Sequence, residues 1–511
     1  VGVAGDTGNA ADVLVIGAGP SGLFAALELS RLGVRTRVIE REPVPARQAR
    51  ATALQPGTLE ILTQAGVVDQ FVNSSVHLEF ARVFDPALSP VAEMTFAGTD
   101  SPWGFECSLP QWRTEEILTG RLTELGGTVE RGKEVVSIRH RDGGLLVEIR
   151  RADGTTELAE TSWVVGAGGA HSVTRQAMSG ELAGETYPGT ALVGDVQVSC
   201  GLPRDGSALI AGTEGYVLLG PLPGDRWITF IGDLTEDETE LLARDISPAA
   251  VAACIAWRAP GSIRLDDVGW AATFRMQHRM APRLAGDRWF LLGDAGHLSS
   301  PFGGEGLNSG IHDAHNLAWK LALLIQGRAR PALIDSYEPE RAAAARHVLE
   351  TSDRVHRMVH TAVESARTGI AAAPLAPEEA AEFTRARAML DVSYAESPIT
   401  GGYRPAGEQE GAATAPGCRY PGWSALPGGG HHLLLSGADS GNLTRFRDRW
   451  AGLVDIARPD AGLSAAESAE PAEPAVVLVR PDGHVGFRAS PADEAAIDAL
   501  DTHLGSYLIP A

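Results

Sequence analysis

Lysine is almost missing from this chain. Only Lys133 and Lys320 occur in 511 residues, against 65 Asp and Glu, and the formal net charge is −22. The other basic residues are arginines, a bias that reads as nucleotide composition rather than chemistry. Such an acid excess repels polyanions, so nucleic acid and anionic membranes are excluded as expected partners; acidity also keeps a protein soluble. Cysteine is scarce too. Cys107, Cys200, Cys254 and Cys418 form no CxxC pair, which argues against a zinc site or a dithiol redox centre and for free thiols in a reducing compartment. No apolar run approaches the roughly 20 residues needed to span a bilayer. The segment VGVAGDTGNAAD has no basic stretch followed by an apolar one, so it does not read as a secretory signal. The expectation is a soluble cytoplasmic protein that binds no metal. No internal repeat is visible.

The length calls for two or three domains. Glycine, by contrast, is abundant and concentrated. Val13–Ile16 is a short Val/Ile run that reads as a buried parallel strand. Gly17-Ala18-Gly19-Pro20-Ser21-Gly22 follows, then a helical pattern through Leu32 with Gly33 as its cap, then a strand Thr36–Ile39 ending at Glu40. This is the dinucleotide fingerprint. Gly17 permits the turn, Gly19 lets the backbone approach a pyrophosphate, Gly22 lets helix and sheet pack closely, and Glu40 can accept from the adenosine ribose. The helix N-terminus offers free N–H groups to phosphates. The fingerprint does not distinguish NAD from FAD.

A second glycine-rich segment lies far along the chain at Leu291–Lys320, LLGDAGHLSSPFGGEGLNSGIHDAHNLAWK. Arg288–Leu292 reads as a strand, which puts Asp294 at a strand's carboxyl end, where it can accept from ribityl hydroxyls. Pro301-Phe302-Gly303-Gly304-Glu305-Gly306 permits close approach of backbone to a flat ligand. A helix is expected from about Leu307-Asn308, its positive end facing that loop.

The pattern GDAGH…P-x-G-G-x-G-x-N-x-G-x-x-D-A-x-N-L-x-W-K-L resembles the second FAD motif of the class A flavin-dependent aromatic monooxygenases. That group includes para-hydroxybenzoate hydroxylase, phenol hydroxylase and the aromatic polyketide hydroxylases. Glu40-Arg41, Arg50-Ala51, the segment Ala53–Leu62 (with Gly57 where Arg is common), Leu109-Pro110-Gln111 and Ser336–Arg341 resemble further family elements, so the resemblance covers most of residues 11–350. It implies FAD contacts from Ser21, Glu40, Arg41, Arg50, Gln111, Asp294 and Asn308. Main-chain contacts are implied from Pro301, Gly303, Gly304, Gly306 and Leu307. The family's middle motif, V-G-A-D-G-x-R-S, departs here. Val165–Ser172 reads VGAGGAHS, with Gly168 in place of Asp and His171 in place of Arg. A lost carboxylate and a lost bidentate donor bear on NAD(P)H handling. Either neighbouring groups compensate, or electrons come from the substrate.

The expected fold is α/β. A Rossmann-like FAD-binding domain (11–75, 100–180 and 284–350) carries an inserted antiparallel substrate sheet (76–99 and 181–283). A helical connector (351–395), a linker (396–425) and a thioredoxin-like domain without redox cysteines (426–511) follow, with Gly462–Pro474 as a loop. The sheet is expected to roof the flavin. Candidate substrate contacts are Trp103, Phe105, Trp227, Phe230, Phe274 and Phe302, with Trp270 and Met276 nearby, as a group suited to an aromatic or polycyclic ligand. The resemblance implies a monooxygenase that inserts one oxygen of O2 into a phenolic, polyketide-type substrate through a flavin hydroperoxide, with NAD(P)H as transient co-substrate. Baeyer–Villiger or epoxidising chemistry, an FAD oxidase or dehydrogenase, and a non-catalytic flavin-binding relative remain open. No side chain is singled out as catalytic, and His297 reads as structural. A monomer or homodimer is expected.

Overall fold

The structure, a computed structural model, describes residues 11–49, 51–187, 189–371, 373–403, 415–435, 443–457 and 475–510. Arg50 and Gly462–Pro474 lie outside the described residues. Five parallel strands form the centre of the first layer, in the order Trp289–Leu291, Thr156–Gly166, Ala11–Ile16, Thr36–Glu40, Val129–Arg131. Val13, Leu14 and Val15 are buried on both faces, as a central parallel strand requires. The helix Pro20–Arg31 starts on a proline in its first turn and packs against the helices Gln111–Glu124 and Glu305–Ile325. The two glycine-rich segments therefore enter one core. The second helix begins at Glu305, earlier than expected, because Gly304 takes φ +64 and serves as its N-cap. Likewise the preceding strand starts at Trp289, after Arg288 with φ +64.

A seven-stranded sheet forms the second layer, in the order Ile263–Phe274, Ala191–Cys200, Arg226–Gly232, Gly215–Pro221, Gly206–Gly212, Phe80–Phe84, Pro90–Thr95. It is antiparallel except where Gly206–Gly212 runs parallel to Phe80–Phe84. The exception arises because the last two strands come from a separate excursion of the chain. Its outer face is covered by the helices Glu236–Arg244 and Pro248–Arg258, anchored by buried Arg258 on Glu238 at 2.6 and 2.9 Å.

The expected division at residue 350 falls inside one continuous helix, Tyr337–Thr368. No glycine or proline interrupts it between Pro339 and Gly369, and Gly369 at φ +70 ends it. This helix leaves the first layer and crosses the inner face of the second sheet through Val355, Val359 and Val363. After the helix Pro377–Arg387 the chain is non-helical to residue 395, so the connector is helical over less of its length than its sequence pattern predicts.

The C-terminal part is a five-stranded mixed sheet with the helices Leu443–Arg449 and Glu494–Tyr507, and residues 426–511 contain no cysteine. Pro481-Asp482-Gly483 forms the expected turn between Val476–Val479 and Val485–Ala489. A buried ionic network joins it to the first layer. Glu340 accepts from Lys320 at 2.5 Å, Asn316 at 2.8 Å and both terminal nitrogens of Arg480 at 2.7 and 2.8 Å. Asp482 accepts from Arg480 at 2.5 Å and from the Trp319 indole at 3.3 Å. Two cations face two anions, so no buried charge is left without an opposite neighbour. Among the described residues no helix is long and apolar enough to cross a membrane.

Candidate cofactor site

The first cradle is built by two glycines that tolerate no side chain and one that faces open space. Gly17 has φ +105, and a Cβ there would lie 2.3 Å from the Ala167 carbonyl oxygen; a Cβ on Gly22 would lie 2.0 Å from that of Gly17. Gly19 has nothing within 4 Å of its Cβ position. It caps the helix without a side-chain bond, leaving the helix N-terminus open to an anion. Glu40 closes the turn: its carboxylate accepts from Ala18 N–H at 2.7 Å and Glu42 N–H at 2.9 Å. Arg41 is exposed beside Glu42. Gln111 opens the helix Gln111–Glu124 and donates to Glu115 at 2.8 Å.

The second cradle starts at Gly293, φ +53, whose N–H donates to Asp313 at 2.9 Å. Asp313 also bonds His297 at 2.8 Å and Arg341 at 2.7 Å. Burial alone would raise its carboxyl, but Arg341 and His297 hold it well below the usual carboxylate range. His297 is thus an anchor of the turn. Asp294 differs. It is exposed to solvent, yet enough protein surrounds it that burial pushes its carboxyl above the ordinary value. Ser21 points between the two cradles: a Cβ on Gly293 would lie 2.6 Å, and one on Gly310 2.0 Å, from its hydroxyl oxygen.

The loop between them is held from behind. Asn308 is fully buried; it donates to Ala53 O at 2.8 Å and Gly304 O at 2.6 Å and accepts from Gln55 N–H at 2.9 Å. Its amide is committed to the protein, so Asn308 shapes the loop rather than offering a group to a ligand. Gln55 donates to Gly303 O at 3.1 Å and Glu106 at 2.8 Å, and Arg387 also donates to Gly303 O. Gln55, Glu106, Glu305, Asp313 and Arg387 were not singled out from the sequence. Gln55, Glu305 and Asp313 lie inside the quoted segments; Arg387 carries no signal, because only the fold brings its helix to the loop. Gly57 has a local cause: a Cβ there would lie 2.5 Å from the Met389 carbonyl oxygen. Pro301 is exposed, while Gly306 and Leu307 are half-buried at the start of the helix.

In the middle motif, Gly168 has ordinary backbone, φ −77, and its Cβ position meets nothing nearer than 3.5 Å. A side chain fits there, so packing does not dictate the glycine. His171 is exposed. Arg175 braces the second cradle, donating to Ala170 O at 2.6 Å and Ala295 O at 3.2 Å.

The aromatic candidates separate by sheet face. Phe230 and Phe302 lie with ring centroids 5.4 Å apart, and Phe274 is 5.4 Å from Phe230. Trp227 sits on the opposite face, among residues of the outer helices, under Arg204 at 4.8 Å. Strand alternation requires this, since 227 and 230 differ by an odd number. Trp103 and Phe105 pack edge to face at 5.9 Å against the first core, with Phe105 stacked on His77. On the inner sheet face Val83, Val193, Leu218, Trp270 and Phe274 are only half-buried, which leaves apolar surface there for a ligand.

These features fit FAD: an open helix N-terminus after Gly19, a carboxylate, Glu40, at the end of the second strand, an accessible Asp294 and a glycine loop with restricted backs. Residues 10–352 match the family described as "FAD binding domain", and residues 422–508 match "Aromatic-ring hydroxylase, C-terminal". The chain is 32% identical to the 6-methylpretetramide 4-monooxygenase of Streptomyces rimosus, over 93% of this chain and 90% of that one. Its fold matches the anhydrotetracycline hydroxylase OxyS of Streptomyces rimosus with a TM-score of 0.76 at 28% identity, covering 98% and 100% of the two chains. It also matches a ternary complex of aklavinone-11 hydroxylase with FAD and aklavinone, with a TM-score of 0.78 at 26% identity, covering 97% and 98%.

Proposed function

The chain belongs to the class A FAD-dependent aromatic monooxygenases, and on that premise we propose that its substrate is a phenolic, polycyclic, polyketide-type molecule, hydroxylated with O2 and with NAD(P)H as reductant. The observation that carries the substrate class is the half-buried apolar inner face of the second sheet, Val193, Leu218, Trp270 and Phe274. Several strands contribute to it, giving apolar surface suited to fused rings. The names of the tetracycline and aklavinone hydroxylases among the relatives support the same reading.

The residues divide the work as follows. The N–H groups behind Gly19 bind phosphate, and Glu40 accepts from the adenosine ribose. Asp294 accepts from the ribityl chain. The Gly303–Gly304 turn, backed by Asn308 and Gln55, presents main chain to the ring system. Bound FAD supplies the redox chemistry, and the protein supplies orientation and the exclusion of water. No described side chain is placed as nucleophile.

The test has two arms. In stopped-flow, NADPH or NADH should bleach the flavin band; the absence of bleaching with either sinks the proposed reductant and favours an oxidase or dehydrogenase. With a panel of polycyclic phenols, mass spectrometry should find product with one added oxygen, and NMR should place it on a ring carbon. Reduction without oxygenation of any panel member sinks the substrate class. Gly168→Asp should fold normally and, where the missing carboxylate limits reduction, raise the reduction rate.

A further inference from the structure

Directly behind the cofactor loop lies a buried acid that the binding scheme does not use. Glu305 is the first residue of the helix that follows Gly304 and is 1% exposed. Both of its carboxyl oxygens lack a hydrogen-bond partner among the described residues. Its nearest cation among the described residues is Arg387, at 3.8 Å. Arg387 lies 3.9 Å from Glu106 and directs its hydrogen bond to the Gly303 carbonyl. The packing is close: a Cβ on Gly303 would lie 2.7 Å from the Arg387 guanidinium and 3.1 Å from the Glu305 carboxyl carbon.

One guanidinium therefore sits between two buried carboxyls. Both cannot ionise without leaving an uncompensated buried charge. The asymmetry decides which one keeps the proton. Glu106 accepts from Gln55 at 2.8 Å, whereas Glu305 has no donor, so ionisation is worth less at Glu305. The remaining charges facing Glu305 come from two other elements. His347, on the long helix, and Asp391, beyond the connector helix, pair with each other at 3.0 Å and act on Glu305 in opposite directions, Asp391 favouring the retained proton and His347 opposing it. In agreement, burial pushes Glu305 up to about 8, opposed by Arg387 and His347, and burial also raises Glu106.

We propose that Glu305 is a positioning residue that stores a proton behind the Gly303–Gly304 turn and thereby sets how strongly the loop favours the reduced, anionic form of bound FAD. A hydride from NAD(P)H carries two electrons and one proton and leaves the bound flavin with one added negative charge. Neutral Glu305 leaves the positive end of the helix Glu305–Ile325 free to stabilise that charge; ionised Glu305 opposes it. Where Glu305 is ionised before reduction, the added charge draws one proton from solvent onto it, and no other bond changes.

The experiment is the midpoint potential of FAD in the holoprotein from about pH 6 to about pH 10, read spectroscopically with dithionite and mediators. The wild-type curve should bend near pH 8 into a steeper fall, the signature of one extra proton taken up on reduction. Glu305→Gln should lack that bend. Glu106→Gln removes a competing negative charge, so it should move the bend to lower pH, which a merely structural role would not do. Parallel wild-type and Glu305→Gln curves would overturn the proposal. Where Glu305→Gln does not retain FAD, an unmoved bend in Glu106→Gln overturns it.

Discussion

The hydroxyl of Ser21 and the backbone of Gly310 meet so closely that a Cβ on Gly310 would lie 2.0 Å from the Ser21 oxygen. Ser21 belongs to the first glycine segment and Gly310 to the helix of the second. The two cradles are thus clamped to one geometry by a contact between elements far apart in sequence. Gly310→Ala should push them apart, at the roughly 1–3 kcal/mol typical of overpacking, and should weaken FAD binding. Gly19→Ala should leave apo stability within about 0.5 kcal/mol in the helix cap, since its Cβ enters open space, yet still weaken FAD binding. Urea denaturation of the apoprotein and FAD fluorescence titration separate the two; equal loss of stability in both variants would contradict the assignment.

Asp294 is solvent-exposed, yet the protein around it raises its carboxyl. Asp294→Ala should lower FAD affinity about 10- to 100-fold, the value of hydrogen bonds to a charged group, with little change in the stability of the apoprotein. Isothermal titration reads this directly.

Trp227 and Phe274 lie in the same sheet on opposite faces. Trp227→Ala should destabilise the protein by about 3–5 kcal/mol, the usual cost of emptying a large core site, with the substrate Kd unchanged in the fraction that remains folded. Phe274→Ala should instead raise the substrate Kd about tenfold at small cost in stability. If the effects were reversed, the inner face would not be the substrate face.

The Glu340 network predicts a specific acid sensitivity. Burial raises the Glu340 carboxyl, but Arg480 and Lys320 outweigh it and hold it far below its ordinary value. A depressed carboxylate contributes stability that is present above its unfolded pKa, about 4.3, and is lost as pH falls through the folded value. Urea unfolding should show that loss between about pH 4 and about pH 2. Arg480→Met should lower stability at neutral pH by about 3–5 kcal/mol, because Glu340 and Asp482 are left with too little positive charge. The variant should also lose much of this acid-dependent step.

The turn at Gly17 and the close packing at Gly22 were legible in the sequence because each is set by local geometry within a strand, turn and helix. The same holds for the placement of Asp294 just after a short apolar strand and for the turn at Pro481–Gly483. Helix length was less legible. The division at 350 followed an expected domain boundary, while the backbone between Pro339 and Gly369 has no residue that would stop a helix. Asn308 was legible as part of a motif but not in its role, since only the fold shows its amide committed to Ala53, Gln55 and Gly304. Trp227 was misplaced among substrate contacts through composition, although the two-residue period of a strand already separates it from Phe230.

By itself the sequence carried the cofactor and the family, because the motif residues that resemble those of the flavin monooxygenases lie close together within each glycine segment. It also carried the altered middle motif, Gly168 and His171. Only the tertiary structure decided what stands behind the cofactor loop. Arg387, Glu106, Gln55 and Glu305 come from different elements, and burial, not spacing, makes one cation insufficient for two carboxyls. Charges interact strongly only where the fold has removed water from between them, and that removal is a property of packing rather than of any stretch of sequence.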